Sequence, residues 1–297
     1  LPTVTEVSRT SLLCGRLTLG VAAREKAGFA SHAALLAHSR AGTPPRLFHK
    51  GDLADATNLA PEVRAAIADP HQRVIGVVYN AVDDHLSGPD QLHQRWTLED
   101  LRLLLPLLRE AREARRVVVI TADHGHSIWD RRGFIGKRHY PSDPETFHLP
   151  LLIRHPQGIG AGTQCDAFVQ AHDITPTVLE AVGITPPEPM DGRSFWKTAF
   201  KGGDPIRRHV TVGWGGSLTV IDDQWWFNCK VDGTGALLYP VRRGLSDASV
   251  AHEQPELVRE FFRTGKADAG GTFPDYLLKR TAALADHPGS APFNADA

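Results

Sequence analysis

The stretch VVVITADHGH (residues 117–126) decides the fold that we expect for this chain. Its β-branched run, residues 117–120, predicts a buried strand, and that strand continues directly into polar residues. In an open α/β sheet, the crevice outside the carboxyl ends of the strands is where ligands bind. The sequence therefore predicts a binding site at Asp123 and His124.

The pair formed by Asp123 and His124 has the chemistry of a metal site. A carboxylate beside an imidazole offers ligands suited to zinc, manganese or a similar divalent ion. Gly125 allows the backbone to turn tightly after them, and His126 could hold a ligand carboxylate in place. An isolated Asp-His pair is more often structural, but its position between a buried strand and a glycine favours ligation.

A second polar cluster follows the segment RVIGVVYN (residues 73–80). Residues 74–79 read as a buried strand, and Asp83, Asp84 and His85 come after it in a polar, Gly/Pro-containing loop. Ordinary loop polarity is the alternative reading, and the matching placement of Asp123 and His124 favours ligands. In a two-metal site the ions lie about 3.5–4 Å apart, so we predict one or two divalent ions, zinc or manganese.

The rest of the chain supports an α/β architecture. Residues 97–116 predict a helix kinked by Pro106, residues 149–156 a buried strand, and residues 173–183 a short helix ending at a glycine. This alternation predicts a mostly parallel central sheet flanked by helices.

The texture of the sequence changes near residue 209, where short alternating strands with glycine turns predict a small antiparallel sheet. We expect Trp225 and Trp226 to be packing residues there. The predicted domains are a catalytic α/β domain at residues 1–205, a small sheet plus helix at 206–270, and a helix with a loose tail at 271–297.

Composition excludes several classes of function. The 297 residues carry a formal net charge of -1, which indicates neither nucleic acid nor a membrane surface as a partner. No apolar run approaches the roughly 20 residues of a membrane span. The three widely spaced cysteines form no disulfide or zinc pattern, so we expect a reducing, cytoplasmic location.

The opening stretch, LPTVTEVSRTSLLCGR (residues 1–16), offers a nucleophile in Thr5. A hydroxyl bound to a divalent metal loses its proton more easily and becomes a nucleophile at neutral pH. Arg9 could contact an oxygen of a phosphoryl or sulfuryl group. The alternative is that Thr5 only caps a helix.

These residues resemble the nucleophile motif of the alkaline-phosphatase superfamily. The resemblance puts Thr5 at the nucleophile position and Arg9 at the motif arginine. It is closest to members with a threonine nucleophile, which are the nucleotide pyrophosphatase/phosphodiesterases and the PglZ domains of phage-defence systems. TADHGH (residues 121–126) resembles the superfamily's Asp-His metal motif.

Residues 133–202 resemble the carboxyl half of the sulfatase branch. The resemblance implies that Lys137 contacts the substrate anion and that His148 is a further metal ligand, with His139 a weaker candidate. HDITPTVLEAVGI (residues 172–184) matches a long stretch typical of that branch. WWFNCKVDGTGALLYPV (residues 225–241) resembles its small C-terminal sheet.

The resemblance implies metal-dependent hydrolysis of phosphate mono- or diesters with Thr5 as the nucleophile. A sulfate ester is the alternative small-molecule substrate. It is the alternative rather than the first reading because a threonine cannot become the formylglycine that sulfatases make from Cys or Ser. Another is a PglZ-like component that binds defence-system partners with little or no turnover. Most members carry one more metal-binding aspartate on a strand before the nucleophile. That strand would precede Leu1, so we expect weak metal binding by this chain.

Overall fold

The computed structural model describes the following residues: 10, 13–14, 18, 20–37, 39–55, 58–86, 97–122, 124–128, 135–136, 138–185, 190–241, 248–273, 275–281 and 284. Two compact units make up the chain. Unit 1 comprises Leu1–Ile120, Leu152–Thr163 and Ala181–Pro189, and unit 2 comprises Thr121–Leu151, Gln164–Glu180 and Met190–Ala297. Within the described part of the chain, no helix is both long and apolar enough to span a bilayer.

Unit 1 alternates helices and short strands. Its elements in chain order are α1 (Ala22–Ala30), α2 (Ala33–Leu36), β1 (Arg46–Phe48), α3 (Lys50–Leu53), β2 (Ala54–Asp55), β3 (Asn58–Leu59), α4 (Pro61–Ala68), β4 (Ile75–Val77), α5 (Ala81–Leu86), a 3-10 turn (Leu98–Asp100), α6 (Leu104–Glu113) and β5 (Val118–Thr121). β1 and β4 pair in parallel, β2 and β3 form an antiparallel hairpin, and β5 pairs with β8 (Leu151–Arg154).

The core of unit 1 lies between α4, α6 and these strands. Leu53 and Val63 are fully buried there, together with Phe48, Leu59 and Leu107. α4 contributes apolar residues at positions 63, 66 and 67, the spacing that puts them on one face of a helix. This cluster includes the partly buried Val118, so it packs against the start of β5.

Arg116, between α6 and β5, ties β5 to α4. Its guanidinium donates to the backbone carbonyls of Ile67 at 2.7 Å, Asp69 at 2.6 Å and Gln72 at 2.7 Å. Burial lowers the pKa of Arg116, with a smaller opposing effect of Asp69. The carbonyls at the end of a helix lack intrahelical partners, so Arg116 satisfies acceptors at and after the end of α4.

Two predictions for unit 1 are wrong in detail. Pro106 does not kink a long helix, because α6 begins at Leu104 and Pro106 lies in its first turn, where the missing N–H does no harm. Residues 81–86 are helical rather than a polar loop, because Asp84 N donates to Asn80 O and starts a turn there.

Unit 2 contains a four-stranded antiparallel sheet with the order β12-β11-β10-β9. Its strands are β9 (Val210–Trp214), β10 (Ser217–Ile221), β11 (Trp225–Lys230) and β12 (Leu237–Pro240). Its other elements are β6 (Ser127–Ile128), β7 (Ile135–Gly136), α7 (Pro144–Phe147), α8 (Ala171–Ala181), α9 (Trp196–Lys201), α10 (Pro255–Asp268) and α11 (Asp275–Thr281).

The predicted C-terminal sheet is therefore confirmed. α10 covers one face of it, where Phe227 stacks on Phe261 at a centroid distance of 5.8 Å. In a second cluster of buried residues, the ring of Trp226 stacks on that of Phe147 at a centroid distance of 5.1 Å. This contact confirms the predicted packing role of Trp226. Hydrophobic burial on this scale contributes roughly 25 cal/mol per Å² of apolar surface.

The α/β class with a small antiparallel C-terminal sheet is confirmed, although the central sheet is only partly parallel. Among the described strands, β1 and β4 pair in parallel. The boundaries predicted near residues 205 and 270 stay a prediction.

Candidate functional site

The turn after β5 is anchored to α7 by a backbone contact. Gly125 N donates to Thr146 O at 2.7 Å. A Cβ on Gly125 would lie 1.7 Å from Glu145 O, so any side chain there collides with the backbone of α7. Gly125 is therefore needed where two backbones approach closely, in addition to its predicted role in a tight turn. The hydrogen bond from Gly125 to Thr146 fixes the position of the neighbouring His124.

A buried polar cluster fixes β6, which begins two residues after this turn. Ser127 Oγ donates to Asp143 Oδ2 at 3.0 Å and lies 3.5 Å from Thr146 Oγ1. All three residues are buried. Since buried polar groups cost free energy unless they are hydrogen-bonded, these contacts specify how residues 127 and 143–146 meet.

The imidazole of His124 is half-buried and packs against an indole. Its ring centroid lies 6.4 Å from that of Trp214, with the planes at 65°. Trp214 also meets His139 at 5.9 Å and 71°. Near-perpendicular rings within 7 Å are a favourable aromatic arrangement. The sequence alone did not single out Trp214; a tryptophan followed by Gly215 and Gly216 at a hairpin turn was the available signal.

His139 is exposed, yet its ring lies against Trp214 and the backbone of Gly215. Partial burial lowers the pKa of His139, and the positive charge of Arg280 lowers it further. At neutral pH this ring is therefore uncharged, and an uncharged imidazole is able to accept a hydrogen bond.

Most of the sequence-predicted site falls outside the described residues. Thr5, Arg9, Asp123 and Lys137 lie there, so their roles stay predictions. Asp83 and His85 lie on α5, with side chains that are also outside the description. Their neighbour Asp84 is exposed and forms an ion pair with Lys50.

His148 is described and is exposed, at the end of α7, where its N–H donates to Pro144 O at 2.7 Å. In the described part of the chain, no three His, Cys, Asp or Glu side chains come together as a metal site. The donor chemistry nonetheless fits a divalent ion, because a half-buried imidazole at the end of β5 follows the carboxylate of Asp123 in the chain.

Asp173 organises a second polar centre in unit 2. This fully buried carboxylate forms an ion pair with Arg207 and accepts from the backbone N–H of Gln170 at 2.7 Å and of Arg193 at 2.8 Å. Burial lowers the pKa of the adjacent His172, against an opposing effect of Asp173. His172 is the second residue of α8, and its Nε2 lies 3.7 Å from Asp173 Oδ1.

Unit 1 has a buried polar contact that the sequence did not reveal. Glu25 is fully buried, accepts from Thr10 Oγ1 at 3.0 Å and pairs with His49 Nε2 at 2.7 Å. Next to it, Lys26 donates to Asp52 at 2.8 Å and lowers the pKa of that carboxyl. These contacts join α1 to α3.

Known proteins similar to this chain include sulfatases and a protein of the alkaline-phosphatase superfamily. Residues 130–210 match the family described as N-sulphoglucosamine sulphohydrolase, C-terminal. Arylsulfatase K of Bos taurus is 36% identical over 81 residues, which are 27% of this chain and 14% of that protein. The multifunctional alkaline phosphatase superfamily protein PehA of Trinickia caryophylli is 35% identical over 80 residues, 27% of this chain and 15% of that protein.

These matches span about one seventh of the length of the curated relatives. A longer likeness comes from a solved structure, the 2-O GAG sulfatase BT1596, with a TM-score of 0.55 over 99% of this chain and 89% of that one. At 13% identity it supports the fold alone. The resemblance of the N-terminal stretch to PglZ lies outside residues 130–210 and stays a prediction.

Proposed function

Because residues 130–210 match a sulfatase family and a protein of the alkaline-phosphatase superfamily is 35% identical over 80 residues, we propose that the chain belongs to that superfamily and is a metal-dependent hydrolase of phosphate mono- or diesters. The observation that carries the proposal is the half-buried His124 after β5, six positions before the residues that match the sulfatase family. Members of this superfamily use divalent metal ions. Asp123 and His124 would hold the ion here, with Asp83, His85 and His148 as further donors.

In the proposed reaction, Thr5 Oγ attacks phosphorus and the bond to the leaving-group oxygen breaks. The leaving alcohol departs with a proton, and a phosphothreonine forms. Water then attacks phosphorus and the bond to Thr5 Oγ breaks, which restores the Thr5 hydroxyl and releases phosphate from a monoester substrate or a phosphate monoester from a diester substrate. A bound divalent ion would supply Lewis acidity, which favours loss of the threonine proton and neutralises charge on the ester oxygens.

The chain's own cations would bind the substrate anion. Arg9 presents a planar guanidinium that matches two oxygens of a phosphoryl group, and Lys137 presents a point charge. Donors directed at oxygens where negative charge develops act most strongly in the transition state. We therefore assign both residues to charge stabilisation and Thr5 to covalent catalysis.

A sulfate ester is the second candidate substrate. The match of residues 130–210 to a sulfohydrolase family favours it, as does the likeness to arylsulfatase K. Thr5 argues against it, because a threonine alkoxide would form a stable sulfate ester.

The three free cysteines support our proposal that the protein works in a reducing compartment.

A substrate panel separates the two candidates. The chain, purified with zinc or manganese, is assayed on p-nitrophenyl phosphate, bis-p-nitrophenyl phosphate and p-nitrophenyl sulfate, beside Thr5→Ala. We expect phosphate esters to be hydrolysed faster and the variant to lose that activity. Faster sulfate hydrolysis, or a fully active Thr5→Ala, would contradict the proposal.

Mass spectrometry of the peptide covering residues 1–16 is a second test. We expect unmodified Thr5 and Cys14. Formylglycine at Cys14 would overturn the alignment and establish sulfate esters as the substrates to examine first.

A further inference from the structure

The β9–β10 turn, residues 214–217, touches two histidines that are 15 positions apart in the chain. Trp214 is near-perpendicular to the rings of His124 and His139. His124 is the proposed metal ligand, and His139 lies two residues after Lys137. One turn of the small C-terminal sheet therefore contacts both segments that carry the proposed chemistry within unit 2.

The contact with His139 requires a glycine. A Cβ on Gly215, which has a φ of +55°, would lie 2.5 Å from His139 Cγ and 2.9 Å from its Cβ. A side chain at Gly215 would be strained by its backbone and would displace the imidazole. The turn is therefore shaped to bring its backbone against His139.

Buried hydroxyl groups hold the two segments together. Ser217 Oγ donates to His139 O at 2.5 Å and lies 3.0 Å from Ser142 Oγ, while Ser142 Oγ is 3.0 Å from the same carbonyl. Both serines are buried. The loop of residues 139–142 is thus fixed to the start of β10, next to Trp214.

Trp214 is buried, at 8% exposure, and its indole N–H has no hydrogen-bond acceptor among the residues that the structure describes. A buried donor without an acceptor costs free energy. A phenylalanine would fill an apolar site without that cost. The position is better explained by contact of the indole with the two imidazoles than by core packing alone.

We propose that Trp214 is a positioning residue that fixes the ring orientation of His124 for metal binding. The link to metal rests on the proposed function; the fixing of the ring does not. Residues around a metal ligand orient it, and their loss typically weakens metal binding about 10–100-fold. The C-terminal sheet then has a direct part in the candidate site through Trp214.

Histidine NMR tests the fixing of the ring without any metal. In the metal-free chain with ¹⁵N-labelled histidine, we expect nuclear Overhauser effects between Trp214 and the rings of His124 and His139. We also expect one orientation of the His124 ring in the parent chain, which Trp214→Leu converts to an average of several orientations. The matched control is Trp196→Leu, since Trp196 is buried to 7% exposure and packs on Phe200.

Absence of those Overhauser effects in the parent chain overturns the proposal even if Trp214→Leu fails to fold. So does a His124 signal that is unchanged in Trp214→Leu, or changed equally in Trp196→Leu. A zinc titration then measures the consequence: the dissociation constant rises about 10–100-fold in Trp214→Leu and stays at the parent value in Trp196→Leu. A parent chain that binds no zinc refutes the proposed function, while the NMR result still decides the positioning role.

Discussion

Replacing Gly125 with alanine should displace the turn that carries His124. The added Cβ would start 1.7 Å from Glu145 O, and an ordinary carbon–oxygen contact is about 3.3 Å. The difference, about 1.6 Å, must come from movement of two backbones, because neither atom lies on a flexible side chain. The hydrogen bond from Gly125 N to Thr146 O at 2.7 Å would stretch or break.

The magnitude follows from two costs. Overpacking costs about 1–3 kcal/mol, and a buried polar group left unsatisfied costs about 1–3 kcal/mol. Gly125→Ala should therefore lower the free energy of unfolding by about 2–6 kcal/mol. If the variant remains folded, a displacement of His124 by more than 1 Å should reduce turnover by about 10²-fold.

Urea denaturation followed by tryptophan fluorescence measures this loss. Gly51→Ala is the matched control, because its Cβ meets nothing within 4 Å and its position is helical. That control should be neutral or stabilising by up to about 1 kcal/mol. If Gly125→Ala unfolds at the same urea concentration as Gly51→Ala, the close approach of the two backbones is refuted.

Arg116→Lys should lower the melting temperature, because one ammonium group cannot reach all the carbonyls of residues 67–72 that the guanidinium contacts. We expect the free energy of unfolding to fall by about 1–3 kcal/mol. An unchanged melting temperature contradicts this role. Asp173→Asn should cost about 3–5 kcal/mol by leaving the charge of Arg207 unpaired, and a loss below about 1 kcal/mol in chemical denaturation would show that the pair is solvated. Burial lowers the pKa of His32 below its usual 6.5, so the unfolded chain takes up this proton first as the pH falls, and stability present above pH 6.5 is lost on acidification. His32→Gln should reduce the decline in stability between pH 7 and pH 5.5, and an identical decline in both proteins would refute the assignment.

The fold was predictable where the pattern was local. Hydrophobic runs gave the strands now observed as β5 and β8, and alternation with glycine turns gave the C-terminal sheet. The errors came from short-range competition. Residues 81–86 form a helix despite two aspartates, and Pro106 lies in the first turn of a helix that was expected to kink at it.

The candidate site was predictable only as a set of residue types at strand ends. Trp214 follows His124 by 90 positions, and no periodicity relates them. Likewise, the packing of Gly125 against Glu145 O depends on how α7 folds back onto the turn. Contacts of this kind are set by tertiary structure, which one sequence read without relatives does not reveal.

The most direct test of the central claim is the metal dependence of phosphodiester hydrolysis by the chain and by Asp123→Asn. Both proteins are stripped with a chelator and assayed on bis-p-nitrophenyl phosphate while zinc or manganese is added back. The account predicts that activity returns with metal in the parent chain, and that Asp123→Asn needs at least about 10-fold more metal or stays inactive. Equal metal dependence in the two proteins, or full activity of the stripped parent, would contradict it.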